Sequence, residues 1–292
     1  MAVICAKGLT KYYGKARGIL DLDLTVEQGE CFGFIGPNGA GKSTTIRTLL
    51  GLIAPTSGSA TVLGLDILRD RQAIARRVGY LPAEAAFYPG MKVRELLEFS
   101  AGLRGLDCRE EAKKLCARME LDPDKKVEAL SFGNRKKAAI LCALQHKPEL
   151  LILDEPTGGL DPLMQKVFFE IIEERIASGA TVFLSSHILG EIRRHCGRAA
   201  VIREGRIIAC GPVAQLGQTD AKRITLRGTA DLSGLEVRDL QRAGETTSFL
   251  YGGDINALLA ALARGSIRDL TVAEPDLDEI FLHYYREGGV QA

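Results

Sequence analysis

Residues 36–43 constrain the fold of this chain more than any other segment of its 292 residues. They match the pattern G-x-x-x-x-G-K-[ST], whose glycines let the backbone wrap around phosphate oxygens so that successive N–H groups face the anion. The apolar run at 31–35 is typical of a buried strand and residues 44–50 are typical of a helix, whose positive end would also face the phosphate. A glycine-rich turn before a helix is the plainer alternative, but it does not account for the full spacing. The residues that the pattern assigns to nucleotide binding are Gly36, Pro37, Asn38, Gly39, Ala40, Gly41, Lys42, Ser43 and Thr44.

A second motif supplies acidic groups that suit phosphate chemistry. The apolar run at 150–153 is typical of a buried strand and ends in Asp154 and Glu155, at the edge of an open α/β sheet where ligands bind. Asp154 is suited to holding Mg²⁺ together with the Ser43 hydroxyl, and Glu155 to orienting or deprotonating the attacking water, while Lys42 adds a charge for the β- and γ-phosphates. A strand followed by a solvated acidic turn is the alternative. The two motifs together predict an ATP site with Mg²⁺.

Composition limits the classes of partner. The chain has 38 Lys and Arg against 37 Asp and Glu, a net charge of +1, so no nucleic-acid partner is expected. Its seven cysteines are scattered without C-x-x-C spacing, as in a cytoplasmic protein with reduced, packed thiols. No apolar stretch reaches the about 18 residues of a membrane span, and the first residues lack the layout of a signal peptide. A role at a membrane would therefore depend on a separate partner.

The pattern of apolar residues predicts an α/β fold with a helical insertion. Strict alternation marks strands with one buried face, continuous apolar runs mark central strands of a parallel sheet, and helical periodicity extends from about 91 to 145. The predicted elements are strands at 20–27, 58–67, 150–153 and 181–184 and a crossover helix at 163–177.

The phosphate-related motifs end near residue 215, which predicts a division into domains at 1–215 and 216–292. In the second part, strands are expected at 223–227 and 247–251, followed by a helix that Asp254 caps. Another helix is expected to begin at Asp276, with Glu279 completing a capping box. This segment is predicted to be a small α+β appendage.

Further motifs resemble those of the nucleotide-binding subunits of ATP-binding-cassette (ABC) transporters. Residues 130–134, Leu-Ser-Phe-Gly-Asn, resemble the LSGGQ signature, and residues 159–162, Gly-Leu-Asp-Pro, resemble the D-loop. His187 stands in the position of the switch histidine, and Tyr13 in that of the aromatic residue that stacks on adenine. The resemblance covers residues 1 to about 215 in the family's order. It implies a P-loop NTPase of ABC ATPase type with an N-terminal antiparallel β subdomain, a mainly parallel core sheet and a helical subdomain at about 88–145.

The resemblance also implies how the site works. Ser131 and Gly133 would bind the γ-phosphate of ATP held by a second subunit, in a head-to-tail homodimer or heterodimer with another ABC ATPase subunit. Lys42, Glu155 and His187 would be catalytic. From the residues alone, Ser131 fits equally well as an ordinary N-cap of a helix whose first turn, at 135–137, is basic. His187 alone would fit a polar residue in a loop. Tyr13 alone would fit an ordinary aromatic residue of a strand, since Tyr12 is its immediate neighbour.

The sequence departs from the family pattern at two motifs. Ala83 stands where the family has a glutamine that touches Mg²⁺ and the attacking water, and we expect Glu84 or a water molecule to fill that gap. Phe132 replaces a signature glycine and Asn134 a glutamine. Bulk at Phe132, where backbone must approach phosphate, predicts weaker closure on ATP and slow hydrolysis by the isolated chain.

The function expected from this resemblance is an ATPase subunit that powers a separately encoded membrane permease. It would act at the inner face of the cell membrane and contact the permease through residues 83–91. Residues 276–285 resemble the C-terminal extension of subunits that serve ABC-2-type exporters, which favours export. The alternatives are a soluble ABC ATPase that acts on ribosomes or DNA, a small-molecule kinase and a hydrolysis-impaired regulatory cassette. The sequence does not indicate the transported substrate, because substrate specificity would lie in the permease.

Overall fold

The computed structural model describes residues 1–216 and 221–273. The chain divides into two compact units, the first ending at Leu216 and the second beginning at Gly217. The helix predicted from Asp276 and the exporter-like segment 276–285 lie outside the described residues. All seven cysteines are free and four of them are buried.

The first unit contains strands and helices in alternation after an all-β beginning. Its strands are β1 (Ala2–Tyr13), β2 (Ala16–Glu27), β3 (Cys31–Ile35), β4 (Ser57–Val62), β5 (Leu65–Asp66), β6 (Val78–Leu81), β7 (Leu150–Asp154), β8 (Thr181–Ser186), β9 (Arg198–Arg203) and β10 (Arg206–Pro212). Its helices are α1 (Lys42–Leu49), α2 (Arg71–Arg77), α3 (Val93–Gly102), α4 (Arg109–Arg118), a 3₁₀ turn (Val127–Ala129), α5 (Phe132–Leu144), α6 (Pro162–Ala177), α7 (Leu189–His195) and α8 (Val213–Leu216).

The beginning of the unit forms an antiparallel sheet with the order β2-β1-β4-β5. The alternation in β2 buries Leu22, Leu24 and Val26 on one face, as predicted. The single strand predicted at 58–67 is wrong, because the chain reverses between β4 and β5. Leu63 and Gly64 both have positive φ, which is the backbone of a two-residue hairpin turn.

The core sheet has the order β10-β9-β3-β8-β7-β6, in which only β10 is antiparallel to its neighbour. Strands β3, β7 and β8 are buried along their whole length, as expected for strands covered on both faces. The crossover helix α6 joins β7 to β8. Its N-cap is Asp161, whose carboxylate accepts a hydrogen bond of 3.0 Å from the Met164 N–H. The mainly parallel core and the helical insertion α3–α5 are therefore as predicted, and they bring the ends of β3, β7 and β8 to one edge.

The connection from α5 to β7 contains a histidine, His146, whose pKa is strongly lowered. Burial, reinforced by Arg104, lowers the pKa of His146 from 6.5 to about 4. The folded protein therefore binds fewer protons than the unfolded chain between pH 6.5 and 4, so its stability falls as the pH falls through this window.

We expect His146→Asn to reduce this acid sensitivity. The native chain should lose about 2 kcal/mol more unfolding free energy than the variant between pH 7 and pH 5, because the unfolded histidine takes up a proton that the folded one does not. Urea unfolding of both proteins at the two pH values measures the difference. An identical pH dependence would show that His146 is not the group responsible.

The second unit is an antiparallel sheet with the order β12-β13-β11-β14 and one described helix. Asp254 caps that helix by accepting a hydrogen bond of 2.9 Å from the Asn256 N–H, so the predicted cap is confirmed. The sequence did not predict β12 and β14, because most of their side chains are exposed and no apolar alternation marks them. The elements are β11 (Lys222–Thr229), β12 (Val237–Ala243), β13 (Thr246–Tyr251), α9 (Ile255–Ala263) and β14 (Ser266–Ala273).

Candidate active site

The phosphate loop connects β3 to α1 and depends on glycine at two positions. A Cβ on Gly36 would lie 2.4 Å from the Ile202 carbonyl oxygen, so the loop packs directly against β9. Gly41 has φ 111°, and a Cβ there would lie 3.0 Å from the Gly18 carbonyl oxygen. Both conditions exclude a side chain. The loop is thus a close-fitting backbone cradle, which suits the polyphosphate of a nucleotide.

Lys42 begins α1 and is buried beneath this loop. Its ammonium donates to the carbonyl oxygens of Gly36, at 2.7 Å, and Pro37, at 3.2 Å. It also forms an ion pair of 3.2 Å with Oε1 of Glu155. The residues that the two sequence motifs predicted therefore meet at one point, and the lysine charge lies between the loop and the acidic end of β7.

Asp154 lies at the end of β7, 1% exposed, and accepts two hydrogen bonds from hydroxyl groups. Its Oδ2 is 2.7 Å from Ser43 Oγ, and its Oδ1 is 3.0 Å from Ser185 Oγ on β8. Carboxylate and hydroxyl oxygens are the hard ligands that Mg²⁺ prefers. The donor set at Ser43 and Asp154 therefore fits Mg²⁺.

Glu155 follows in a left-handed conformation with φ 47°, which is unusual for a residue with a side chain and directs the chain out of the strand. Its Oε1 lies 3.2 Å from His187 Nδ1 as well as 3.2 Å from the Lys42 ammonium. Burial opposes ionisation of this carboxyl, but Lys42 and His187 together outweigh it and lower its pKa below the ordinary value. Glu155 is thus an ionised carboxylate at neutral pH, able to accept a hydrogen bond or proton from water.

A buried carboxylate that the sequence did not single out stabilises the segments that follow β7 and β8 at this edge of the core sheet. Glu191, on α7, accepts a hydrogen bond of 2.6 Å from Thr157 Oγ1 and one of 2.7 Å from Ser186 Oγ. Ser186 Oγ in turn accepts from the Ile188 N–H at 2.9 Å. These bonds join the segment after Glu155 to the segment that carries His187. No local motif distinguishes Glu191 from other helical glutamates.

Ser131 is the N-cap of α5, with its Oγ 3.3 Å from the Asn134 N–H. The helix begins at Phe132, so the expectation that residues 135–137 form its first turn is wrong. Lys136 and Lys137 lie in the second turn and are buried; only Arg135 of the three is exposed. The capping role and the predicted phosphate-binding role of Ser131 are compatible, since its hydroxyl is at an exposed helix N-terminus.

The signature segment contacts the D-loop of the same chain. A Cβ on Gly159 would lie 2.3 Å from a ring carbon of Phe132, and one on Gly133 would lie 2.7 Å from the Gly159 carbonyl oxygen. The ring of Phe132 therefore lies on the Gly159 backbone, although 59% of the residue is exposed. The bulk that the sequence introduces here is accommodated by a glycine opposite.

Tyr13 lies at the end of β1 and is partly exposed. A Cβ on Gly18 would lie 3.2 Å from a ring carbon of Tyr13 and 3.1 Å from the Thr44 methyl carbon. The Lys11 ammonium is 5.5 Å from the ring centroid. Tyr13 and the first turn of α1 thus border the same glycine.

Glu84, the suggested substitute for the glutamine missing at Ala83, is exposed.

None of the helices in residues 1–216 or 221–273 combines the length and the apolar character that a membrane crossing requires.

Comparison with known proteins agrees with this arrangement. The family model described as ABC transporter matches residues 19–158. The linearmycin resistance ATP-binding protein LnrL of Bacillus subtilis is 33% identical over 302 residues, covering 95% of this chain and 96% of that protein. The Nod factor export ATP-binding protein I of Cupriavidus metallidurans is 35% identical over 295 residues and 96% of each chain. A solved structure of an ATP binding subunit of an ABC transporter is 30% identical with a TM-score of 0.70, covering 73% of this chain and 91% of that one. A small-molecule kinase is thereby excluded, and the chain belongs to the ABC transporter ATP-binding proteins and is an ATPase.

Proposed function

We propose that this ATPase is the motor subunit of an exporter. Two subunits, identical or paired with another ABC ATPase, close head to tail on two ATP molecules and drive a separate membrane permease from the inner face of the cell membrane. Export is supported by the relatives named for linearmycin resistance and Nod factor export. The transported substrate would be selected by the permease.

The observation that carries this proposal is the convergence of Lys42, Ser43, Asp154, Glu155 and His187 at one sheet edge. Lys42 and the loop amides bind the phosphates, and Ser43 with Asp154 holds Mg²⁺, which when bound neutralises charge on the β- and γ-phosphates. Glu155 orients and deprotonates the attacking water, and His187 keeps its carboxylate in place. This set of residues supports hydrolysis and argues against the hydrolysis-impaired alternative, even though Ala83 lacks the side chain of the family's glutamine.

The head-to-tail dimer is supported by the exposure of the signature segment. Ser131 and Phe132 are exposed at the N-terminus of α5, whereas Lys42 and Asp154 are buried. An exposed helix N-terminus with a serine hydroxyl, whose hydrogen is available to donate, favours an anion brought by another molecule. In this proposal, Ser131 and Gly133 complete the site of the partner subunit, and Tyr13 stacks on the adenine of its own subunit.

The permease contact is supported by an exposed aromatic pair. Tyr88 is 67% exposed and Phe99, on α3, is 42% exposed. Their rings pack edge to face with centroids 6.2 Å apart. Aromatic side chains are enriched at protein–protein interfaces relative to the rest of the surface. Tyr88 belongs to segment 83–91, which the family resemblance predicts to contact the permease.

Tyr88→Asp should therefore release the chain from its permease without loss of its own ATPase activity. Purification of the tagged full-length chain from detergent-solubilised membranes, with mass spectrometry of what accompanies it, should identify one multi-span membrane protein with the native chain and little of it with the variant. Leu52→Asp is the matched control, because Leu52 is also an exposed apolar residue but lies after α1. Absence of a membrane protein from the native preparation, or equal recovery with Tyr88→Asp, would contradict the proposed docking.

A further inference from the structure

A buried lysine of the signature helix lies against the segment that lacks the family's glutamine. Lys136 on α5 is 4% exposed. Its ammonium donates to the Ala83 carbonyl oxygen at 3.0 Å and lies 3.4 Å from that of Pro82. Within residues 1–216 and 221–273, no carboxylate lies within ion-pair distance of it. Lysine is rarely buried without a charged partner, because desolvation of the ammonium is costly.

The acidic edge of the core sheet explains why the charge is tolerated there. Asp154 and Glu155 are near enough to favour the charged form of Lys136, although burial outweighs them and lowers its pKa to about 8. The ammonium thus contacts the backbone of residues 82 and 83 and is subject to the field of two carboxylates. With Lys42, it is a second buried cation close to the acidic end of β7.

The backbone contacts indicate what this cation does. The methyl group of Ala83 has no polar atom with which to bind water or a metal, so this position contributes only its backbone. Glu84 is exposed, and no hydrogen bond in the described part of the chain joins it to the phosphate loop or to Asp154. The Lys136 ammonium is the group that fixes the Ala83 carbonyl, and it does so from the helix that Ser131 caps.

We propose that Lys136 is a positioning residue for ATP hydrolysis, which holds the Pro82–Ala83 backbone beside Asp154 and Glu155 in place of a glutamine side chain at Ala83. The proposal rests on the proposed role of Asp154 and Glu155 in hydrolysis. Because Lys136 belongs to α5, it also joins the 82–83 backbone to the helix that carries the signature. A shift of that helix would then move the backbone of residues 82 and 83 at the reaction site.

The test compares Lys136→Met with Lys136→Arg in the full-length chain. Lys136→Met should lower kcat roughly 10- to 100-fold, the range associated with losing hydrogen bonds from a charged group. The Kd of a fluorescent ATP analogue should stay near the native value, because Lys42 and the loop hold the phosphates. Lys136→Arg should restore a large part of kcat, since a guanidinium also donates to carbonyl oxygens.

Lys137→Met is the matched control. Lys137 is the neighbouring buried lysine on α5, and the described residues record no hydrogen bond from it to residues 82–83. Its kcat should remain near the native value. Equal losses of kcat in Lys136→Met and Lys137→Met, or a loss of nucleotide affinity as large as the loss of kcat, would reduce Lys136 to a packing residue and overturn the proposal.

A double-mutant cycle with Ala83→Gln tests the substitution directly. Ala83→Gln should raise kcat in the Lys136→Met background by a larger factor than in the native background, because the two side chains serve the same position. Equal factors in both backgrounds would overturn the proposal. Glu155→Gln separates the two levels of inference: if it retains hydrolysis, the proposed function of the site fails, whereas its inactivity combined with native activity of Lys136→Met overturns the lysine proposal alone.

Discussion

Glu155→Gln is expected to reduce ATP hydrolysis about 10²- to 10⁴-fold, the contribution typical of a positioned general base. The amide has nearly the size of the carboxylate and can still accept a hydrogen bond of the kind that Lys42 and His187 make at Oε1. It can no longer take a proton from water. Loss of the negative charge also frees the Lys42 ammonium from its ion pair, which should strengthen its hold on phosphate.

The same variant should therefore accumulate as an ATP-dependent dimer. Binding and closure continue while the step that reopens the dimer is blocked. Light scattering after gel filtration, with and without ATP, measures the change in mass, and a steady-state phosphate-release assay measures hydrolysis. Glu149→Gln is the matched control, because Glu149 directly precedes β7 and pairs with Arg77 on the surface. A Glu155→Gln protein that binds ATP but stays monomeric would contradict the proposed dimer.

The parts of the site that the sequence predicted are those with a local signature. The glycines of the phosphate loop are marked by their spacing, and Asp154 and Glu155 by the apolar run that precedes them. Each motif is contiguous in the sequence, so its residue types and spacing indicate its chemical role without knowledge of the rest of the chain. Their meeting, with Ser43 and Asp154 separated by 111 residues, followed from the expectation that β3 and β7 end at one edge of a parallel sheet.

The parts that the sequence did not predict depend on contacts between distant segments. Glu191 bonds to Thr157 across 34 residues, and Lys136 to Ala83 across 53. In the sequence, Lys136 belongs to a basic run that is typical of an exposed helix turn. Only the packing of α5 shows that it is buried. The hairpin at Leu63 was missed for a related reason, since a leucine with positive φ gives no turn signal.

Asp154→Asn is expected to lower hydrolysis more than 10²-fold, because the variant keeps the shape of the proposed magnesium site but removes its charge. Asp154 holds Ser43 Oγ at 2.7 Å and Ser185 Oγ at 3.0 Å. An amide presents one acceptor oxygen instead of two, so one of these hydroxyl groups must redirect its hydrogen and accept from the amide N–H instead. The Mg²⁺ concentration needed for half-maximal activity should rise, while binding of ATP without metal should change little because the phosphate loop is intact.

Ser185→Ala provides the control for the structural part of this effect. It removes one hydrogen bond to Asp154 but keeps the carboxylate charge and Ser43, so the cost should be limited to about 1 kcal/mol of stability. The two variants should thus separate: Asp154→Asn changes the Mg²⁺ dependence and Ser185→Ala changes mainly the unfolding midpoint. Titration of ATPase activity with Mg²⁺, alongside urea unfolding, distinguishes them. A native Mg²⁺ dependence in Asp154→Asn would mean that the metal is held by other groups, and the role of the carboxylate would then be to fix Ser43 and Ser185 at the edge of the sheet.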